Sequence, residues 1–212
     1  MIQNIIWDFD GTLFDTYSAI NRAFKQALVD FGIDIPEAQI RLQAHKSLTL
    51  FAEELAKKYD LNVEAFGSNY YNHYKRFPVQ RQPPFPGVRQ VCSYICARDG
   101  VNLIVTHRDV PSANILLKTF DMETYFSGIL SAGDDYPFKP DPAMVEEVIR
   151  RFSLNKEQTL AVGDREIDIQ AGQAASVRTC LFVEECAQSQ ADLCINNYQH
   201  LMEYLLRENG GA

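Results

Sequence analysis

The sequence predicts an α/β protein with a doubly wound parallel sheet and an inserted all-helical cap domain. Two observations lead to this fold class. Short apolar runs typical of strands alternate with helix-like segments after residue 100, which is the pattern of a parallel sheet with helices on both faces. Between the first run and the second, the sequence instead shows helical patterns with no convincing strand between them. A helical domain is therefore expected to interrupt the sheet domain.

The predicted strands are short runs rich in β-branched and aliphatic residues. They lie at residues 3–8, 101–105, 128–131, 159–162 and 178–183. A helix-like segment at residues 143–152 precedes the fourth run. An amphipathic segment at residues 197–208 is expected to pack on the sheet as the last helix.

The inserted segment is predicted to be helical throughout. Gly32 and Pro36 stand between its first two helices, at positions typical of a helix end and a helix start. The proline-rich stretch at residues 82–87 indicates a stiff return linker. The helices are expected at residues 17–31, 37–42, 48–59 and 63–77. We therefore expect residues 1–15 and 83–212 to form the sheet domain and residues 16–82 to form the cap.

Composition and charge narrow the classes of function. A chain of 212 residues can bury a core of its own. Its formal net charge of −8 and its pI near 5.0 argue against a nucleic-acid-binding surface. No run approaches the roughly 20 apolar residues of a membrane span, and Met1 leads into the first strand without a signal segment. We expect no nucleic-acid or membrane partner, a cytoplasmic location, and a monomer or homodimer.

The five cysteines predict neither a disulfide framework nor a zinc site. Their number is odd, and no two of them show CxxC spacing. Cys92 and Cys96 are four residues apart in a helix-like segment and are expected to be small buried residues. Such a set suits a reducing compartment.

Two carboxylates stand at the end of the first predicted strand. Asp8 and Asp10 are two residues apart, and in an extended chain such side chains point the same way. Ligand sites of open α/β sheets lie beyond the carboxyl ends of the strands. Both carboxylates are therefore expected to reach one ligand, where one can attack and the other can move a proton. Gly11 permits a sharp turn, and Thr12 supplies a hydroxyl and an N–H suited to an anion.

Further polar groups stand at the ends of later strands. Thr106 ends the second strand, and its hydroxyl with the N–H groups that follow can hold a phosphate. Lys139 is fixed between prolines, so it supplies a positive charge with little conformational freedom to lose. Asp164 ends the fourth strand, and Asp168 lies one helical turn later on the same side. Taken singly, a threonine is also an ordinary β-former and a lysine an ordinary surface charge.

Together these motifs resemble the haloacid dehalogenase-like (HAD) hydrolases. The resemblance comprises DxDGT at residues 8–12, the strand-end Thr106, Lys139 before a proline, and GDxxxD at residues 163–168, in that order. The nearest branch is the phosphoglycolate phosphatase-like and beta-phosphoglucomutase-like group. The resemblance implies a Rossmann-like HAD core with a helical cap.

The resemblance also implies roles for these residues. Asp8 attacks a phosphomonoester to give an aspartyl-phosphate, and Asp10 serves as general acid and base. The cofactor is Mg²⁺, held by Asp8, Asp164, the backbone carbonyl of Asp10, and Asp168 directly or through water. The groups expected to bind the phosphate are Gly11, Thr12, Thr106, His107 and Lys139.

Several alternatives remain open at this stage. Asp10 favours phosphoester chemistry over halide or phosphonate cleavage, which need no acid there. A phosphatase acting on a small phosphorylated metabolite is favoured over a sugar-phosphate mutase, which would use the same core residues. A binding module without activity is expected to have lost one of the acidic motifs. In the cap, His45 and Lys46 can contact the substrate, or they can belong to a solvated helix junction with Ser47 as N-cap.

Overall fold

A computed structural model describes residues 1–131, 136–186 and 189–210, and for His45 and Lys46 it describes the backbone alone. The chain divides into two compact units. The sheet unit joins residues 1–15 to the chain from Pro84 onward. The inserted unit comprises residues 16–83 and is helical.

The sheet unit contains six parallel strands in the order β3-β2-β1-β4-β5-β6. The five predicted strands are confirmed, and the structure adds a short sixth strand at one edge. The strands are β1 (Asn4–Trp7), β2 (Asn102–Thr106), β3 (Phe126–Ser131), β4 (Thr159–Gly163), β5 (Arg178–Phe182) and β6 (Leu193–Ile195).

Eight α-helices occur in the described parts of the chain. Three of them form the inserted unit: α1 (Tyr17–Asp30), α2 (Glu37–Tyr59) and α3 (Val63–Lys75). The other five belong to the sheet unit. They are α4 (Val88–Cys96), α5 (Val110–Thr119), α6 (Ala143–Arg151), α7 (Glu166–Ala174) and α8 (Tyr198–Glu208).

Helices cover both faces of the sheet, as the sequence predicts. Neighbouring residues of β1 point to opposite faces. Ile6 packs with Met144 of α6 and Ala171 of α7 in one buried cluster. Trp7 packs against Tyr198 of α8, with ring centroids 5.8 Å apart. Every residue of β1 is buried, which explains its uninterrupted apolar run and identifies it as a central strand.

The inserted unit has its own aromatic core. Phe24 of α1 packs against Phe51 of α2 and Phe66 of α3, with centroid distances of 5.5 and 5.2 Å. The two helices predicted at residues 37–42 and 48–59 form one element with a break at Ser47, whose φ of −166° and ψ of 110° are not helical. The Ser47 hydroxyl accepts the Leu50 N–H at 3.3 Å, so Ser47 caps the second half of α2.

The structure corrects the expectation for the cysteines. Cys186 and Cys194 form a disulfide, because the chain returns after β5 to add β6, the strand that carries Cys194. Because β6 was not among the predicted strands, the two cysteines were not expected to meet. Cys92 is buried as expected, whereas Cys96 is exposed.

Among the described residues, none of the helices combines the length and the apolar character needed to cross a membrane.

Candidate active site

The candidate site lies at the carboxyl edge of the sheet. Asp8 follows β1, Thr106 ends β2 and Asp164 follows β4. Because β1 is the hydrogen-bonded neighbour of both other strands and all three are parallel, their carboxyl ends meet at one edge. The Asp8 N–H donates to the Val162 carbonyl at 2.8 Å, which fixes the Asp8 backbone one residue beyond the strand.

Three buried carboxylates gather at this edge. Asp8, Asp164 and Asp168 each offer an oxygen, and these oxygens lie within 4.8 Å of one another. Lys139 joins them: its Nζ lies 2.5 Å from Asp8 Oδ1 and 2.6 Å from Asp168 Oδ1, and it donates to the Val105 carbonyl at 3.0 Å. All four side chains are buried. The structure thus brings together four residues that are widely spaced in the sequence.

The pKa values in this cluster reflect burial opposed by pairing. Burial raises the pKa of Asp8 to about 6, against the lowering effect of Lys139, and the neighbouring Asp168 adds to the rise. Burial works against the charged form of Lys139, but the carboxylates of Asp168 and Asp8 raise its pKa above the ordinary value. Burial also opposes the ionised form of Asp168, yet Lys139 and Arg165 hold its pKa below the usual range. Lys139 is therefore charged at neutral pH.

The cluster fits a divalent cation. Three carboxylates and one ammonium leave an excess of buried negative charge, which is costly without a compensating cation. Asp8 Oδ2 is buried and has no hydrogen-bond partner, although buried carboxylate oxygens are normally satisfied. Oxygen-rich sites of this kind suit hard cations such as Mg²⁺ and Ca²⁺. Asp8, Asp164 and Asp168 are the residues able to hold such an ion.

The turn after Asp8 supports the cluster from inside the protein. Gly11 has a φ of 80°, which favours glycine, and its N–H donates to the Phe14 carbonyl at 2.9 Å. The Thr12 hydroxyl donates to Asp164 Oδ1 at 3.1 Å. The Gly11 N–H and the Thr12 hydroxyl are therefore both engaged within the protein. This differs from the expectation that they face a bound anion, because the turn closes on itself and on Asp164.

Arg108 is a site residue that was not predicted to be catalytic. Its Nε lies 3.1 Å from both carboxylate oxygens of Asp10, and its Nη2 lies 2.5 Å from Asp10 Oδ1. The Arg108 backbone is also fixed: its N–H donates to Thr106 Oγ1 at 3.0 Å, and its carbonyl accepts from the Ser131 hydroxyl at 2.9 Å. The Asp10 side chain thus pairs with Arg108 and is not one of the three clustered carboxylates. The sequence feature that indicates a role for Arg108 is its position two residues beyond Thr106, at the carboxyl end of β2.

The His107 side chain supports the loop that carries Lys139. Its Nε2 accepts the Lys139 backbone N–H at 2.9 Å, and its ring meets Phe138 edge-on at 4.8 Å. Burial lowers the pKa of His107 to about 3, and the positive charge of Lys139 lowers it further. The imidazole is therefore neutral and fixes the backbone that carries Lys139.

Arg165 is a further site residue that was not among the predicted ones. Its Nε lies 3.7 Å from Asp168 Oδ2, and its backbone N–H donates to the same oxygen at 3.1 Å. Asp168 is thus held at the start of α7 by a backbone donor as well as by Lys139. The other two site candidates, His45 and Lys46, lie in α2, and their side chains fall outside the described part of the chain.

This fold and site define an α/β protein with a buried carboxylate site at its strand ends. The sequence model of the haloacid dehalogenase-like hydrolase family matches residues 5–182. The chain therefore belongs to this family of hydrolases, as its motifs predict.

Named relatives span nearly the same length. A phosphoglycolate phosphatase of Photorhabdus laumondii subsp. laumondii is 26% identical over 95% of this chain and 91% of its own. A pyrophosphatase, PpaX, of Oceanobacillus iheyensis is 25% identical over 84% of this chain and 82% of its own.

Solved structures share the fold. A haloacid dehalogenase-like hydrolase from Streptococcus pneumoniae superposes with a TM-score of 0.81 at 20% identity, covering 96% of this chain and 98% of that one. A Thermotoga maritima protein, provisionally assigned as a beta-phosphoglucomutase, superposes with a TM-score of 0.77 at 19% identity, covering 98% and 99%.

Proposed function

We propose that the chain is a Mg²⁺-dependent phosphatase that hydrolyses a small phosphomonoester through an aspartyl-phosphate on Asp8. The observation that carries the proposal is the buried, unbonded Oδ2 of Asp8, in a carboxylate that otherwise contacts Lys139. A carboxylate oxygen that is desolvated and free of protein donors is open to an external partner, either the cation or the phosphorus atom that the carboxylate attacks. Mg²⁺ held by Asp8, Asp164 and Asp168, with the Asp10 carbonyl, would reduce the repulsion between this carboxylate and a phosphate dianion.

The chain's own residues can carry out both half-reactions. In the first, an Asp8 oxygen bonds to phosphorus, the bond from phosphorus to the ester oxygen breaks, and Asp10 gives that oxygen a proton. In the second, Asp10 takes a proton from water as the water attacks phosphorus, which releases inorganic phosphate and restores Asp8. Lys139 and the Thr106 hydroxyl are suited to neutralise the transferring oxygens. The N–H groups after Thr106 and Gly11 remain the proposed backbone contacts.

Arg108 fixes the orientation of Asp10 and favours its ionised form. The second half-reaction uses that form, which takes a proton from water. The fork between Arg108 and Asp10, with contacts of 2.5 to 3.1 Å, stabilises that ionised form. Arg108 is accordingly proposed as a positioning residue for Asp10.

The names of the relatives indicate the substrate class. Phosphoglycolate and pyrophosphate are the substrates named for the relatives described above, and both are small and highly charged. We propose a substrate of this class and place phosphoglycolate first. A sugar-phosphate mutase is the second candidate, because one superposed fold carries that assignment. The cytoplasmic location and the monomeric or homodimeric state stay predictions from the sequence.

The test is phosphate release from a panel of substrates with Mg²⁺, comparing the protein with Asp8→Asn. The panel contains phosphoglycolate, pyrophosphate, hexose phosphates and nucleotides. We expect turnover by the wild type and loss of at least about 10³-fold in Asp8→Asn, since the nucleophile is removed. Glu146→Gln, a similar change at an exposed residue of α6, should keep full turnover. Equal turnover by folded Asp8→Asn would refute the nucleophile assignment. Interconversion of sugar phosphates without phosphate release would favour the mutase.

A further inference from the structure

A basic groove lies on the inserted unit, between α1 and the end of α3. It encloses about 310 Å³. Its charged and ionisable lining residues are Arg22 of α1, His73 and Arg76 at the end of α3, and Arg81 in the following turn. All of them belong to the inserted unit. We call this feature the basic groove.

The guanidinium groups of the basic groove are not neutralised by the protein. The chain has a formal net charge of −8, with 28 acidic residues against 20 lysines and arginines. In the described part of the chain, however, Arg22, Arg76 and Arg81 have no ion pair with any carboxylate. Three arginines that line one groove and have no ion pair of their own give this part of an acidic protein a local positive potential.

The basic groove is held in place by contacts around it. Tyr74 donates its hydroxyl to Gln82 Oε1 at 2.5 Å, and Gln82 is buried. This bond ties the turn that carries Arg81 to α3. The guanidinium of Arg81 lies over the Phe77 ring at 5.3 Å. An anion bound there would therefore not have to order the whole turn, and such preorganisation favours affinity.

His73 is fixed at the edge of the same groove. Its Nε2 lies 2.7 Å from Asp30 Oδ2. Asp30 also accepts from Asn69 at 3.1 Å and from Gln26 at 3.3 Å. The hydrogen bonds from His73, Asn69 and Gln26 lower the pKa of Asp30. Asp30 therefore stays ionised and orients His73 and Gln26, two of the polar residues that line the groove.

Stabilisation of the helix end does not account for this arrangement. Cations near a helix C-terminus interact favourably with the helix dipole, which gives a local reason for His73 and Arg76. It gives none for Arg22, which lies within α1, or for Arg81, which lies in a separate turn. The helix dipole therefore does not explain why Arg22 and Arg81 line the same groove as His73 and Arg76.

We propose that the basic groove binds a small phosphate-bearing anion. Guanidinium groups match the oxygens of phosphate in geometry and charge, and three of them suit a multiply charged ion. The volume is at the lower end of that of small-molecule sites, so the ligand is a metabolite and not a macromolecule. Phe77 and Pro78 give the groove an apolar surface against which the carbon atoms of the ligand can pack. The proposal does not depend on the activity of Asp8.

The experiment follows the His73 imidazole by NMR while inorganic phosphate, and separately pyrophosphate, is added to the whole protein with a chelator and at constant ionic strength. The chain has four histidines, and His73→Gln assigns the signal. We expect a saturable shift of the His73 signal. Arg22→Gln with Arg76→Gln should weaken the apparent affinity by about tenfold or more, since two charge-assisted contacts are lost.

Two controls make the result decisive. Arg41→Gln removes an exposed arginine from α2 of the same unit and should leave the titration unchanged. Asp8→Asn should also leave it unchanged, which separates the basic groove from the catalytic site. A linear, unsaturable shift, or the same loss of affinity in Arg41→Gln as in the double variant, would overturn the proposal. Binding of an acidic peptide without any response to phosphate or pyrophosphate would overturn the assignment of the ligand.

Discussion

At the scale of single residues, the site combines side chains whose position could be predicted from the sequence with others whose position could not. Asp8 and Asp164 could be predicted because each directly follows an apolar strand. Lys139 could be predicted because prolines fix it. Arg108 could not be assigned in this way, because its partner Asp10 is 98 residues away and the pairing depends on a side-chain direction that no spacing encodes.

The pairing of Arg108 with Asp10 leads to a prediction about leaving groups. Arg108→Gln should lower kcat for an alkyl phosphate by about 10²-fold, in the range typical for loss of a supporting contact. The loss should be clearly smaller for an aryl phosphate such as p-nitrophenyl phosphate, whose leaving group needs little protonation. Steady-state kinetics with both substrates measures the difference.

Two variants control this experiment. Arg207→Gln removes an exposed arginine at the end of α8 and should change neither rate. Arg108→Lys keeps the positive charge but cannot make the bidentate contact with Asp10. It should recover part of the alkyl phosphate rate that Arg108→Gln loses. Equal losses on both substrates in Arg108→Gln would show that Arg108 does not act through Asp10.

At the scale of elements, the hydrophobic pattern of the sequence predicts the helices and strands that are long or fully buried. It does not predict those whose formation depends on a neighbouring element. β1 and β4 are buried along their whole length, so their apolar runs are unmistakable. β6 has only three residues and exists because β5 offers it a free edge. The disulfide between Cys186 and Cys194 was missed for the same reason. The break in α2 could be predicted because Ser47 caps the helix half that follows.

The junction of β4 and α7 predicts a specific requirement for glycine. A Cβ at Gly163 would lie 2.3 Å from the Cβ of Asp168 and 2.6 Å from its Cγ. Gly163→Ala should therefore displace Asp168, reduce turnover and lower the free energy of unfolding by about 1–3 kcal/mol, as overpacking does. Denaturant unfolding and phosphate release measure the two effects.

Gly67 provides the matched control for this substitution. It lies within α3, and a Cβ there would meet nothing within 4 Å. Gly67→Ala should raise stability by about 0.4–1 kcal/mol, because alanine restricts the unfolded chain and favours the helix. If Gly163→Ala were as stable and active as the wild type, the close approach of β4 to Asp168 would not be needed.

At the scale of the whole molecule, we expect cation binding to be coupled to folding. Asp8, Asp164 and Asp168 come from separate parts of the sequence and meet only in the folded chain. An ion that binds the folded state alone stabilises it by about 2.7 kcal/mol at 100 times its dissociation constant. For a chain of this size that corresponds to a rise in Tm of about 5–10 °C.

Thermal unfolding with increasing Mg²⁺ tests this coupling without any need for a substrate. Asp164→Asn should abolish most of the rise, because it removes a carboxylate that the cluster contributes and that Thr12 orients at 3.1 Å. Glu166→Gln, two residues away and exposed, should leave the rise intact, and a chelator should reverse it in both the wild type and this control. An equal rise in wild type and Asp164→Asn would mean that Mg²⁺ stabilises the protein at some other place. The buried carboxylates would then need another reason to lie so close together, since their mutual repulsion otherwise opposes folding.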